Sequence, residues 1–185
     1  MSHYSQSNRN QTLQITDKGV EAIASKCKRL KFLELSWCKS ISIKSISSLQ
    51  KNLRQLKHLD LELCPLIDND VLKILGQMYL TSLNLSGNKF QVLPHQIPLL
   101  TRLKSLTFDE NLLVVLPPSL GTITSIDRLS FKGNPVESPP AVIIDRGTEA
   151  IMSYLRRLFV ANHTQRLDLT LQGIQDLHAS VCQLH

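Results

Sequence analysis

Leu80-Thr-Ser-Leu83-Asn-Leu85-Ser-Gly-Asn88 is the stretch on which the reading of this chain turns. Apolar residues stand at its first, fourth and sixth positions, and an amide stands at its ninth. The same spacing recurs upstream as Leu56-Lys-His-Leu59-Asp-Leu61-Glu-Leu-Cys64 and Leu30-Lys-Phe-Leu33-Glu-Leu35-Ser-Trp-Cys38. Downstream it returns as Leu103-Lys-Ser-Leu106-Thr-Phe108-Asp-Glu-Asn111 and Ile126-Asp-Arg-Leu129-Ser-Phe131-Lys-Gly-Asn134. Successive starts lie 26, 24, 23 and 23 residues apart. Four fixed positions kept at a near-constant period define one structural unit used repeatedly.

The alternation around the fourth and sixth positions is that of a short strand, with successive side chains on opposite faces. Stacked copies make a parallel sheet whose inward leucines form a continuous aliphatic spine, so the expected class is an α/β solenoid: a curved parallel sheet inside and helical to irregular limbs outside. At the ninth position Asn88, Asn111 and Asn134 can satisfy the backbone groups of a turn. Cys38 and Cys64 take the same place, suited to it by a small, buried, weakly donating thiol. After the cysteines the return limbs are long, with Ile41, Ile46 and Leu49 repeated as Ile67, Leu72 and Leu75. Ile15 to Val20 is in register with them, and Thr16 or Asp17 is placed to cap a helix there. After the asparagines the limbs shorten and carry Pro94, Pro117 and Pro139-Pro140, so they should be extended or single-turn.

The five segments have the form of leucine-rich repeats. The cysteine-bearing ones, with Ile15-Thr-Asp-Lys-Gly-Val20 and Leu35-Ser-Trp-Cys38, resemble those of F-box substrate receptors. The later repeats are similar to those of cytosolic Ras-associated proteins. Gly133 to Pro140 followed by Gly147 to Leu155 resembles the segment that closes many such arrays, Roco-type proteins included. The resemblance covers about residues 11–160 and implies a non-catalytic module that binds a partner protein. It also implies two alternatives: part of a ubiquitin-ligase receptor, or the regulatory array of a larger GTPase or kinase.

Both ends depart from the repeat. Tyr4, Ser7 and Arg9 fall where strand leucines should, so residues 1–10 read as a degenerate or disordered segment, followed by the array at 11–143. Residues 144–161 read as a capping helix with Ile151, Leu155 and Leu158 on one face. Leu167, Leu169, Ile174, Leu177, Val181 and Leu184 match Leu83, Leu85, Phe90, Leu93, Ile97 and Leu100 at a shift of 84, which marks 162–185 as part of a further, truncated repeat.

Across 185 residues, 42% are hydrophobic and only 5% aromatic, so the core is aliphatic. The net charge of +6 is concentrated early: residues 1–55 hold ten Lys and Arg against three acids. A solvated Lys-rich edge is the favoured reading, since no aromatics are interleaved for base stacking, and nucleic acid is not an expected partner. No apolar stretch approaches the length of a membrane span, and the first residues contain no signal-like apolar run. With Cys27, Cys38, Cys64 and Cys182 in no metal or C-x-x-C spacing, free thiols and a cytoplasmic or nuclear location are expected. There is no phosphate loop, dinucleotide fingerprint, zinc-protease motif or nucleophile elbow. The expectation is therefore no enzyme, no cofactor, no metal and no small-molecule substrate.

The remaining surface is the outward face of the sheet. Its columns should read Phe32, His58, Ser82, Ser105, Arg128, then Glu34, Asp60, Asn84, Thr107, Ser130, then Ser36, Glu62, Ser86, Asp109, Lys132. Glu34, Asp60 and Glu62 come together there, and their mutual repulsion favours a partner with a basic surface. Phe32 and Trp37 are candidate anchors, although Trp37 is equally suited to packing on the solenoid edge. With His58, Asn84, Ser105, Asp109 and Arg128 they complete the candidate partner-binding face.

Overall fold

In a computed structural model, residues 15–93 and 96–170 are described. Five three-residue strands, β1 (Phe32–Glu34), β2 (His58–Asp60), β3 (Ser82–Asn84), β4 (Ser105–Thr107) and β5 (Arg128–Ser130), form one parallel sheet in chain order. Strands this short are stable only because each repeat stacks on the next. Leu59, Leu83 and Leu106 at their centres are buried, and so are Leu61, Leu85 and Phe108 one position beyond. Leu33 and Leu129, in the two end strands, are only half-buried, because each has a neighbouring strand on one side alone. Phe108 meets Phe90 edge-on, with ring centres 5.9 Å apart, and widens the spine where the limbs become thin.

The outer limbs change character along the chain, as the prolines require. Helices α1 (Asp17–Lys26), α2 (Ile43–Asn52) and α3 (Asn69–Leu75) back the first three strands and bury Val20, Ala24, Ile46, Leu49, Leu72 and Leu75. Their place is then taken by single 3₁₀ turns at Ile97–Leu99 and Pro118–Thr122, each with proline in its first turn.

The helix caps differ from the sequence expectation. Thr16 is the N-cap of α1, yet neither it nor Asp17 bonds that helix through its side chain. Asp17 instead caps the next repeat. Its Oδ1 accepts from the backbone N–H groups of Ser42 (2.8 Å) and Ser45 (3.3 Å) and from Ser45 Oγ, and its Oδ2 accepts from Ser42 Oγ at 2.8 Å. The positive end of α2 attracts a carboxylate as well as its own Ser42 hydroxyl, and α1 stacks closely enough to supply one. Burial raises the Asp17 pKa, but the bonds from Ser45 and Ser42 outweigh it and hold the carboxyl below its ordinary value. A carboxyl with a depressed native pKa stabilises the fold above its unfolded pKa, near 4, and loses that contribution as pH falls through the native value. Asp17→Ala should therefore cost about 1–2 kcal/mol at neutral pH. The gap between variant and parent should narrow in acid, as the native carboxyl takes up its proton. Denaturant melts at neutral and acid pH check this.

The closing helix was expected over 144–161. It is two elements, α4 (Ala141–Ile144) and α5 (Thr148–Thr164), separated at Gly147, whose φ of 87° is outside the helical region. Helix α5 buries Ile151, Met152, Tyr154, Leu155 and Leu158 and lies against the 3₁₀ turn at Pro118–Thr122. Gly121 permits this approach: a Cβ there would press on the backbone nitrogen of Arg156 and come within 2.7 Å of the Leu155 carbonyl carbon. Thr148 Oγ1 accepts from Leu129 N–H at 3.2 Å, filling a hydrogen-bonding place at the free edge of β5.

That edge is where the further repeat was expected to continue. Among the described residues β5 is the last strand of the sheet, and Leu167 and Leu169 form no strand but pack, half-buried, against the core. Arg157 donates to the Asp168 carbonyl at 3.0 Å and holds this segment to the outside of α5. The expectations for residues 1–10 and for Ile174, Leu177, Val181 and Leu184 lie outside the described residues.

Candidate partner-binding face

The register of the ladder places the sheet's outward side chains in the expected columns. Phe32, His58, Ser82, Ser105 and Arg128 are successive partners, as are Glu34, Asp60, Asn84, Thr107 and Ser130. The third column, Ser36, Glu62, Ser86, Asp109 and Lys132, follows from cross-repeat bonds. Trp37 N–H donates to the Glu62 carbonyl, Leu63 N–H to Ser86, Gly87 N–H to Asp109 and Glu110 N–H to Lys132, at 2.7–2.9 Å.

Those bonds expose a turn position that the repeat pattern did not disclose. Trp37, Leu63, Gly87, Glu110 and Gly133, each immediately before the Cys or Asn, all have φ between 52° and 71°. The left-handed conformation disfavours a side chain, and three of the five positions nevertheless carry one. The Leu63 side chain lies over Gly87 and that of Glu110 over Gly133, so a Cβ on either glycine would collide with it. Trp37 projects from the first such turn with 60% of its surface exposed, and Phe32 is 70% exposed with its ring 5.9 Å from His58.

Behind the turns runs a ladder of side-chain amides. Asn111 Nδ2 donates to the Leu85 carbonyl of the preceding repeat (3.0 Å) and to Phe108 and Asp109 of its own, while its Oδ1 accepts from Phe90 N–H. Asn88 and Asn134 repeat the arrangement, with Oδ1 accepting from Cys64 N–H and Leu113 N–H. Cys64 supplies only the donating half, from Sγ to the Leu35 carbonyl at 3.1 Å and the Glu62 carbonyl at 3.5 Å. Burial pushes its thiol up to about 12, which keeps it a donor. Cys38, near the open end, reaches only the Ser36 carbonyl, at 3.8 Å. Cys27, Cys38 and Cys64 are free thiols.

The acidic group is organised differently from the expectation of three free, mutually repelling carboxylates. Asp60 is built into the face. Its Oδ1 accepts from Ser36 Oγ (2.9 Å) and from Glu62 N–H (2.8 Å), and its Oδ2 accepts from Asn84 Nδ2 at 3.0 Å. The same Asn84 amide reaches Glu62 Oε2 at 3.3 Å, so one neutral donor bridges the two carboxylates and lessens the repulsion. Asp109 likewise accepts from Ser130 Oγ and Lys132 N–H. Glu34 and Arg128 are exposed and make no side-chain hydrogen bond or ion pair among the described residues. An open pocket of about 300 Å³ lies between Glu62, Asn84, Asp109 and Glu110. What the face offers is a run of carboxylates on the first, second and fourth repeats, flanked by two exposed aromatics at one end.

Comparisons with known proteins agree with this geometry. The family model described as Leucine Rich Repeat matches residues 79–100, the third strand and its limb. Among solved structures, a leucine-rich repeat protein of Leptospira interrogans is similar at 22% identity and a TM-score of 0.51, over 65% of this chain and 35% of that one. An internalin from Listeria monocytogenes is similar at 25% identity and a TM-score of 0.52, over 69% of this chain and 35% of that one. The chain thus spans about a third of the length of either structure. A search of curated proteins finds no match. With its five-stranded parallel sheet and helical limbs, the fold of this chain is an α/β leucine-rich repeat solenoid.

Proposed function

We propose that this chain is a non-catalytic module that binds a partner protein, through a basic surface of that partner, on the exposed face of its sheet. The observation that carries the reading is the run of carboxylates Glu34, Glu62 and Asp109, on the first, second and fourth repeats of the array, with no cation paired to it among the described residues. A rigid row of one sign of charge steers and orients an oppositely charged protein. Phe32 and Trp37 are the apolar anchors beside it. A cytoplasmic or nuclear location fits the free thiols. The finer likeness to F-box receptors rests on Cys38 and Cys64 at the turns and on α1–α3; an adaptor-binding motif encoded upstream in the full gene would support it.

The geometry selects which carboxylates a test can use. Asp60 serves the backbone of its own turn, and Asp68 caps α3 through Asp70 N–H, so neither is a neutral site for charge reversal. Glu34→Lys with Glu62→Lys should leave the thermal melt nearly unchanged and weaken binding of a lysine- and arginine-rich peptide at least tenfold. Glu21→Lys with Asp145→Lys removes the same charge from exposed positions away from the sheet face and should change binding by no more than about twofold. Fluorescence anisotropy measures both, and equal losses would assign the effect to net charge and reject the face.

A further inference from the structure

The residues just before each strand form a second charged surface, opposite in sign to the first. Lys31, Lys57, Thr81, Lys104 and Asp127 are consecutive across the array, joined by backbone bonds of 2.8–2.9 Å from each N–H to the preceding carbonyl. Lys31 and Lys57 therefore stand on adjacent rungs, about 4.8 Å apart at the backbone, and Lys104 two rungs further. Two residues earlier in each repeat, Arg29, Gln55, Tyr79 and Arg102 make a parallel row, with Lys28 and Arg54 beside it. From the first repeat to the fourth, no acidic residue lies in the connecting segments 26–31, 51–57, 76–82 and 101–105. None of these cations is in an ion pair among the described residues, where the ion pairs are Lys73–Asp70 and Arg157–Asp168. Part of the early excess of positive charge, which reads in sequence as a solvated edge, thus falls in the segments that lead into the strands.

We propose that this rim binds an acidic segment of a partner protein, a run of aspartate and glutamate laid across the starts of the strands. An extended peptide places side chains on one face about 6.8 Å apart, a mismatch with the rungs that long, flexible lysines can follow. The width of the rim argues against nucleic acid. Only three residues, about 10 Å, separate Lys31 from Glu34 and Lys57 from Asp60, so a phosphate duplex would overlie the acidic columns, whereas a single peptide strand fits between. Within these connecting segments the one aromatic, Tyr79, has Arg102 over its ring at 4.3 Å and Lys57 at 5.9 Å, so beside the exposed Phe32 they offer no row of free platforms for bases. The rim is separate from the carboxylate row of the proposed function, and its test leaves that row intact.

The test is anisotropy of a short labelled peptide of alternating aspartate and glutamate, titrated with the intact protein. A single-stranded oligonucleotide of equal charge is measured in parallel. The combined Lys31→Glu, Lys57→Glu and Lys104→Glu variant should weaken the acidic peptide at least tenfold. Lys18→Glu, Lys39→Glu and Lys44→Glu together remove the same charge elsewhere and should stay within about twofold. If the reversed rim variant loses its fold, the Gln triple at the same positions should still weaken the peptide at least threefold with an unchanged melt. Equal losses in the rim and control variants, or no binding of the acidic peptide by the parent, would overturn the proposal. Tighter binding of the oligonucleotide, abolished by the rim changes, would assign the surface to nucleic acid instead.

Discussion

Leu106→Asp is expected to unfold the middle of the array under conditions where Ser105→Asp, one residue away, has almost no effect. Leu106 is fully buried between Leu83 and Leu129 on the neighbouring strands. A carboxylate there loses its hydration and finds no cation, and the loss of leucine burial adds about 1.5–3 kcal/mol. The sum is about 4 kcal/mol or more, a large share of the 5–15 kcal/mol that stabilises an ordinary domain. In a repeat array each unit is held by its neighbours, so the damage should spread into the third and fifth repeats rather than remain at β4. Ser105 faces outward on the same strand, and its replacement by Asp should stay within about 0.5 kcal/mol. Urea melts followed by circular dichroism measure the difference. Similar shifts for the two variants would mean that the assignment of inner and outer faces is wrong.

Asn111→Ala should have the next largest effect on stability, about 2–4 kcal/mol, for a different reason. Four backbone groups use this one amide: the Phe90 N–H and the carbonyls of Leu85, Phe108 and Asp109. Alanine leaves the Phe90 N–H buried without a partner, at about 1–3 kcal/mol, and takes one of two donors from each of the three carbonyls, which keep Asn88, Asn134 and Gly87. Cys64→Ser should cost less, about 1 kcal/mol, because a hydroxyl can still donate to the Leu35 carbonyl. That variant also has a pH signature. The Cys64 thiol is pushed up to about 12 from an ordinary value of 9.0, so the native state keeps a proton that the unfolded chain releases above pH 9. Its contribution is complete below pH 9 and declines as pH rises toward 12. The parent should therefore lose more stability than Cys64→Ser between pH 8 and 11. Melts of both proteins across that range that stay parallel would show that the thiol is not the buried donor.

Much of this molecule is legible in its sequence because the repeat is a one-dimensional code. A period of 23–26 residues fixes which residues become neighbours, and alternation about Leu83 or Leu106 fixes which side chains point inward. The columns of the sheet face follow from that register, and they are the ones the ladder contains. The change from helical limbs to shorter ones is written in Pro94, Pro117 and Pro139-Pro140, since proline cannot donate within a helix interior, and the 3₁₀ turns that result begin with Pro98 and Pro118.

Other features depend on contacts between repeats that spacing does not encode. Asp17 reads as a cap for its own helix, but close stacking of α1 on α2 puts it on the next helix's N-terminus, where more donors are unsatisfied. Asp60 and Glu62 read as a repelling pair until Asn84, a repeat away, is placed between them. The left-handed turns at Trp37, Leu63 and Glu110 have no glycine to announce them; the cross-repeat hydrogen bonds hold them there. Leu167 and Leu169 carry the pattern of a sixth strand, yet they pack on the core without forming one, while α5 turns its buried face to the 3₁₀ turn at Pro118–Thr122 and gives the Leu129 N–H the Thr148 hydroxyl. The sequence by itself determined period, register and the inward face, because those are local and repeated. Only the tertiary structure decided how charges and caps are shared between repeats, because that depends on which of several competing groups comes within reach.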